Sequence, residues 1–212
     1  MVKQERAART RQVLVRAAAE VFAQSGFALA SLSTISRKAG VSTGALHFHF
    51  ASKQALARAV EDEAAAIVRA IAGPASAAGP NPLQRLIDAT HALMGRLDQD
   101  IVVRAGFELG GALPRRDDAV DLRGVWQGWV EEVLGEAERE GVLAEGVSAA
   151  DASITVVAAT VGFELLGVVD RTWTSEATLV RFWELLLPRL ATADGLGGLV
   201  SGGTPDPASH QV

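Results

Sequence analysis

LSTISRKAGVSTGALHFHF, residues 32–50, is the stretch whose reading decides the fold. Leu32, Ile35 and Ala39 recur at the spacing that brings apolar side chains to one face of a helix, leaving Ser33, Thr34, Arg37 and Lys38 on the other. Ser31 is placed to cap the start of that helix. Gly40 follows it, where a chain that stops and turns sharply needs a residue tolerant of positive φ. Val41 is an apolar plug between two helices, and Ser42 caps the second. The spacing predicts two short helices joined by one tight turn, the layout of a DNA-reading helix-turn-helix. An ordinary αα-hairpin can carry the same Gly-Val-Ser joint, so the joint alone does not separate the two.

The second helix is expected to present Thr43, Gly44, Ala45 and His47 outward, with Leu46, Phe48 and Phe50 as the apolar bulk that anchors it. Small residues at its start let the backbone approach DNA closely. Free N–H groups and a partial positive charge at a helix N-terminus favour phosphate there.

Charge separates a DNA reader from a plain hairpin. The whole chain is acidic, at a formal net charge of −5. Residues 1–56 carry eight lysines and arginines against Glu5 and Glu20, a net +6, and the remainder carries −11. The positive field is therefore confined to the segment that holds the motif, where it would focus phosphate attraction.

At 212 residues and 49% hydrophobic, the chain can bury a sizeable core, and a small domain followed by a larger one is the natural division. The absence of cysteine excludes disulfides, thiolate zinc sites and cysteine nucleophiles, and fits a reducing cytoplasm. MVKQERAARTRQ at the start is charged and amphipathic where an export signal needs an apolar stretch. The most apolar run, Ile154 to Val169, spans 16 residues, is interrupted by Glu164, and falls short of the ~20 needed to cross a bilayer. A buried core helix is expected instead, with no membrane partner.

Helices are expected almost throughout, with no strand pattern of period two. The first covers residues 5–25, with Val13, Leu14, Ala17, Ala18, Val21 and Phe22 on its apolar side and Gly26 as its stop. Ser52 caps a fourth helix that runs to about Ala72, and GPASAAGPNP, residues 73–82, is a linker. Beyond it come helices over 83–97, near 101–113, from Leu122 to near Gly141, and over about 149–169 and 175–192, with Pro114 and the charged residues after it forming a loop. The Gly-rich tail from Asp194 is expected to be disordered.

This arrangement resembles the TetR family of transcriptional regulators. The resemblance covers roughly residues 7–60 and rests on Ile35, Ala39-Gly40-Val41-Ser42, Gly44, Phe48-His49-Phe50 and Ser52-Lys53, with His47 where the family has Tyr. The wording around the second helix, the RAGFEL segment (104–109) and the downstream tryptophan look most like the γ-butyrolactone autoregulator receptors of actinobacteria. The resemblance implies an all-α chain. Residues 1–51 would form the helix-turn-helix DNA-binding domain and 52–193 a helical ligand-binding and dimerisation domain, followed by the tail, 194–212. It implies that Lys53 binds the DNA backbone and His47 a phosphate. The full candidate DNA-contacting set is then Ser33, Arg37, Ser42, Thr43, Gly44, Ala45, His47, His49 and Lys53. Thr43 stands where the receptors commonly carry Lys, so its reading of bases differs from that of a long cation.

For the effector, the resemblance maps the pocket tryptophan onto Trp126 and the hydroxyl that bonds a lactone carbonyl onto Thr160; a Gln used by some members corresponds to Ala64. Thr160 is an isolated hydroxyl in an apolar run, suited to an apolar cavity with one polar anchor, although a Thr there also bonds its own helix carbonyl. Phe107, Phe163, Thr90 and Leu86 complete the candidate lining, and Trp129 packs beside Trp126. Glu164 is either solvent-facing or half of an ion pair.

Catalysis finds no foothold. His47, His49, His91 and His210 have no metal-ligand spacing, and Gly110-Gly111 and Gly202-Gly203 lack the Lys-Ser/Thr of a phosphate loop. No catalytic residue, metal or cofactor is expected. The sequence points to a cytoplasmic homodimeric repressor that binds a pseudo-palindromic operator and is released by a small apolar effector such as a γ-butyrolactone or related furan. The alternative is a TetR-type regulator of efflux or catabolism that answers an unrelated drug or metabolite.

Overall fold

The structure, a computed structural model, describes residues 2–73, 81–111 and 116–204. Residues 74–80 of the linker expected at 73–82, the end of the helix expected near 113, Pro114 and the tail from Pro205 lie outside the described residues. Among the described residues ten α-helices follow in order: α1 Val2–Leu29, α2 Leu32–Lys38, α3 Thr43–His49, α4 Lys53–Ile71, α5 Pro82–Gln99, α6 Ile101–Gly111, α7 Leu122–Arg139, α8 Ala149–Gly167, α9 Glu176–Leu190 and α10 Ala193–Leu196. A 3-10 turn, Arg171–Thr174, precedes α9. Among the described residues β-structure is limited to one isolated antiparallel bridge, Leu143 with Ala191.

Local chemistry sets the boundaries around the quoted stretch. Ser31 accepts a hydrogen bond from Thr34 N at 3.2 Å and Ser42 one from Ala45 N at 3.1 Å, so both short helices are capped as expected. At the end of α2, Val41 N donates to Ser36 O at 3.0 Å and Gly40 N to Arg37 O at 3.2 Å, a Schellman closure. It needs the left-handed conformation that Gly40 adopts at φ 67°. Gly26 does what was expected of it: at φ 71° and ψ 162° it leaves the helical conformation, and a short further turn carries α1 on to Leu29 beyond the kink.

The chain divides into two compact units, Met1–Ile67 with Gln99–Leu122, and Val68–Asp98 with Arg123–Val212. This is not the expected division at residue 51. The first part of α4 belongs with the helix-turn-helix because Leu56 and Val60 enter its core, and α6 joins it through Val102, Ala105 and Leu109. That core is built on Leu14, Ala18, Val21 and Phe22 of α1, with Ile35 of α2 and Leu46 of α3 fully buried. Each of these side chains larger than alanine contributes ~1.5–3 kcal/mol of apolar burial. Gly106 of α6 lets α4 approach closely, since a Cβ there would lie 2.5 Å from that of Ala64.

The second unit is built around α5, α7, α8 and α9. Leu83, Leu86, Ile87 and Met94 of α5, Trp126, Val130 and Leu134 of α7, and Trp183 and Leu187 of α9 are buried. α8 is 19 residues long, longer than the apolar run read from sequence, because Ser148 caps it and starts it at Ala149. It is long and apolar enough to cross a membrane. One side of it nevertheless belongs to a packed body: Ala152, Val156, Thr160, Phe163 and Glu164 are buried, and Glu164 takes a bidentate pair from Arg123 of α7 at 2.8 and 2.9 Å.

The disordered tail expected from Asp194 does not hold as far as Thr204. Thr192 caps α10. Beyond it, Val200 N donates to Gln84 Oε1 at 2.8 Å and Gln84 Nε2 to Val200 O at 3.3 Å. Asp88 accepts from Thr204 N and Thr204 Oγ1 at 2.8 and 2.7 Å. Glycine-rich composition suggested disorder, but polar side chains on α5 satisfy this backbone and hold it.

Candidate DNA interface and effector site

In the first unit, α3 turns its buried side inward through Leu46, fully buried, and Phe50 directly after the helix, 4% exposed. Ser42, Thr43, Gly44 and His47 are exposed, as are Ser33 and Arg37 of α2, while Ala45 and His49 are half-buried. Thr43 Oγ1 lies 3.4 Å from Ser36 Oγ. Six of the candidate contacts on α2 and α3 are therefore exposed, and Lys53 is half-buried.

Phe48 corrects the sequence reading. Expected as an anchor, it is 82% exposed and meets His49 edge-on at 5.2 Å between ring centres. Helical geometry explains this, because a residue two positions from both Leu46 and Phe50 points away from the side they share. That spacing was visible in the sequence and makes Phe48 an outward-facing residue the candidate set lacked.

The cations of this unit are less free than their count suggests. Lys38 pairs with Glu20 at 2.9 Å and Arg16 with the same carboxylate at 3.8 Å. Arg11 lies over the Phe50 ring at 5.3 Å. Lys53 Nζ donates to the carbonyls of Phe27, Ala28 and Ala30 at 2.7, 3.1 and 2.9 Å and sits 4.6 Å from the centre of the Phe27 ring. Arg116 lies 5.2 Å from the same ring and donates to Glu61 at 2.6 Å. Burial pushes the Glu61 carboxyl up from 4.5, against the opposing pull of Arg116.

In the second unit, Trp126 is 2% exposed and its indole N–H donates to Thr160 Oγ1 at 2.9 Å. Thr160 in turn donates to Val156 O at 2.9 Å. The two residues expected to face an effector are brought together, but as a closed chain in which the hydroxyl proton is already committed to the helix. Thr90 is likewise buried and donates to Leu86 O at 2.7 Å. Trp129 packs 5.2 Å from Trp126, and Phe163 is edge-on to Phe182 at 5.3 Å. Phe107 is buried on α6, which belongs to the first unit. Glu164 is the buried half of the Arg123 pair described above.

Trp183, absent from the expected lining, is fully buried with an indole N–H that has no partner among the described residues. Leu179 and Leu187, four residues to either side on α9, signal its burial in the sequence; nothing there signals the unpartnered donor. On the outside of the unit, α8 and the two residues after it carry exposed apolar side chains. Ile154, Leu165, Leu166, Val168 and Val169 are exposed, Val169 at 93%. A groove of about 690 Å³ lies at Ile154, walled by Gln127 and Glu131 of α7 and Ala150, Ile154, Val157 and Val161 of α8.

Comparison with known proteins matches residues 14–60 to the family described as bacterial regulatory proteins, tetR family. The A-factor receptor protein of Streptomyces griseus is 30% identical over 197 residues, spanning 90% of this chain and 67% of that protein. A solved gamma-butyrolactone receptor, described as ArpA-like, superposes with a TM-score of 0.79 at 26% identity, over 93% of this chain and 96% of its own. CprB from Streptomyces coelicolor, solved in complex with its biological operator sequence, superposes at 0.74 with 28% identity, over 89% of this chain and 92% of its own.

Proposed function

Because the chain belongs to the TetR family of bacterial regulatory proteins, and is a DNA-binding transcriptional regulator similar to γ-butyrolactone receptors, we propose that it represses an operator as a homodimer and lets go when a small lactone-like effector enters the second unit. The observation that carries this reading is the reach of the likeness to the A-factor receptor protein, 90% of the chain, well beyond the helix-turn-helix. Site chemistry supports it. An exposed surface of Ser33, Arg37, Thr43, His47 and Phe48 suits a duplex groove, and the unpartnered Trp183 N–H offers an acceptor-bearing apolar molecule a buried donor. Such a regulator works in the cytoplasm, where its operator is.

Dimerisation supplies what one seven-residue recognition helix lacks. Ile154, Leu165, Leu166, Val168 and Val169 expose apolar side chains on and just after α8, and a second copy presenting the same surface would bury them. Effector then acts by favouring a conformation with the two recognition helices out of half-site register, limited by its preference for that state.

A second reading, an effector unrelated to lactones, draws support from Thr160, whose proton is held by Val156 O. Thermal shift with alkyl γ-butyrolactones and furans, paired with binding to a duplex from upstream of the coding region, separates the two. Stabilisation together with loss of the DNA complex supports the lactone reading. Indifference to both compound classes supports the second. Simultaneous, independent binding of lactone and duplex would sink the release mechanism.

A further inference from the structure

We propose that DNA binding by this chain is linked to proton uptake at His47, so that the operator is gripped more tightly as pH falls through the range in which imidazole gains charge; the proposal rests on the DNA-reading function above. α3 holds no lysine, arginine or carboxylate, and its titratable side chains are His47 and His49, both in the last turn. The negative end of a helix favours an imidazolium there. His47 is exposed and follows Thr43 by one turn, on the side of α3 that also shows Gly44. His49 is half-buried, and its ring meets Phe48 edge-on at 5.2 Å. Of the two imidazoles, His47 is the one open to a phosphate.

Permanent charge on α2 and α3 is sparse. Lys38 of α2 is taken by Glu20 of α1 at 2.9 Å, and Arg16 of α1 lies 3.8 Å from the same carboxylate. Arg37 is exposed and keeps no carboxylate partner among the described residues. On α1, Arg11 lies over the Phe50 ring, and Glu5 is the only carboxylate besides Glu20 in residues 1–56. α4 opens with Lys53, pairs Arg58 with Asp62 at 3.0 Å, and carries Glu61 and Glu63, whose carboxyls burial pushes up. A proton on His47 therefore adds a unit of charge to a surface where α2 and α3 otherwise offer Arg37. Neutral imidazole donates through one nitrogen, while imidazolium donates through both and makes a charge-assisted bond to a phosphate oxygen. Reciprocity completes the link: the phosphate favours the protonated ring by the factor that the proton favours DNA.

The test measures affinity of the full chain for a duplex from upstream of the coding region, over a salt series, at about pH 5.5 and about pH 8. Wild type is compared with His47→Gln, His47→Arg and His49→Gln, each checked for folding by its melting temperature at both pH values. Glutamine keeps a neutral donor that does not titrate, and arginine is charged throughout. Wild type should bind at least about tenfold more tightly at the lower pH, as for one charge-assisted hydrogen bond gained, with a log–log salt slope steeper by about 0.9. His47→Gln should bind at both pH values as wild type does at the higher one. His47→Arg should carry the steeper slope at both, and His49→Gln should keep the wild-type response. Glu61 and Glu63 remain in every variant, so a pH response that survives in His47→Gln belongs to other groups and overturns the proposal. So does a response lost in His49→Gln instead, or a wild-type affinity that ignores pH. Should wild type bind no duplex at either pH, the DNA reading falls and takes this proposal with it; binding without a pH response removes this proposal alone.

Discussion

Removing the Phe48 ring tests which side of α3 meets DNA. The ring is 82% exposed, so about a fifth of an aromatic surface of ~200 Å² touches protein, and at ~25 cal/mol/Å² truncation to Ala costs the fold about 1 kcal/mol. The higher helix propensity of Ala returns part of that. Phe50, 4% exposed, is a core side chain whose truncation costs ~3–5 kcal/mol. With a melting shift of ~4–8 °C per kcal/mol for a unit of this size, Phe48→Ala should melt within about 8 °C of wild type and Phe50→Ala at least about 12 °C lower. Operator affinity should separate the two variants differently. If DNA covers only a third of the exposed Phe48 surface, about 55 Å² is lost on truncation, worth ~1.4 kcal/mol or about tenfold in Kd. Fluorescence anisotropy with a labelled duplex would read this at fixed salt. A Phe48→Ala variant that melts as low as Phe50→Ala refutes the placement of the ring. One that melts normally and binds the operator at full strength refutes the assignment of this face to DNA.

Gly106→Ala would set its new Cβ 2.5 Å from Ala64 Cβ, more than an ångström inside normal contact. Overpacking of ~1–3 kcal/mol should outweigh the ~1 kcal/mol gained in helix propensity. Adding Ala64→Gly should relieve the clash, so chemical denaturation of the four cycle members is expected to show a coupling of at least about 1 kcal/mol, and simple additivity would contradict the close approach. Burial raises the Glu61 carboxyl above 4.5, so the folded chain holds that proton more tightly than the unfolded one. Wild-type stability relative to Glu61→Gln should therefore be greatest below pH 4.5 and decline as pH climbs through the raised value, read as the melting difference at stepped pH; a difference moving in wild type's favour at high pH would contradict it. Trp183→Phe removes an unpartnered buried donor and should leave the melting temperature within a few degrees, since the lost donor's ~1–3 kcal/mol penalty offsets the smaller ring. The same variant should lose lactone-induced thermal stabilisation; a wild-type lactone response would remove Trp183 from the site.

Much of the fold was legible because local rules decide it. Ser31, Gly40, Val41 and Ser42 each do in the structure what their chemistry demands, so the two short helices and their turn could be read to the residue. What failed depended on partners distant in sequence. The tail from Asp194 reads as disordered in composition, yet Gln84 and Asp88, more than a hundred residues earlier, satisfy its backbone. The boundary between units reads as residue 51, yet Val102, Ala105 and Leu109 of α6 complete the core around α1. Phe48 differs, because its outward direction is contained in the spacing to Leu46 and helical period prevails over aromatic character there.

The effector site shows most sharply where residue type stops being informative. Trp126, Thr160 and Trp183 are all buried polar-tipped side chains, and their identities say nothing about which is free to bind. Geometry separates them. The Trp126 indole donates to Thr160 and Thr160 donates to Val156 O, so an effector carbonyl placed there must break a satisfied chain before making its own bond. Leaving a buried polar group unsatisfied costs ~1–3 kcal/mol, which such an effector would have to recover. At Trp183 the order is reversed, since the unbound protein already carries the penalty of an unpartnered N–H and an acceptor brought there relieves it. Affinity is therefore expected to follow the reach of a carbonyl toward α9, and a lactone series varied in the position of that group against a fixed alkyl chain should rank accordingly. A series whose stabilisation depends on alkyl length alone would mean that Trp183 plays no part in recognition.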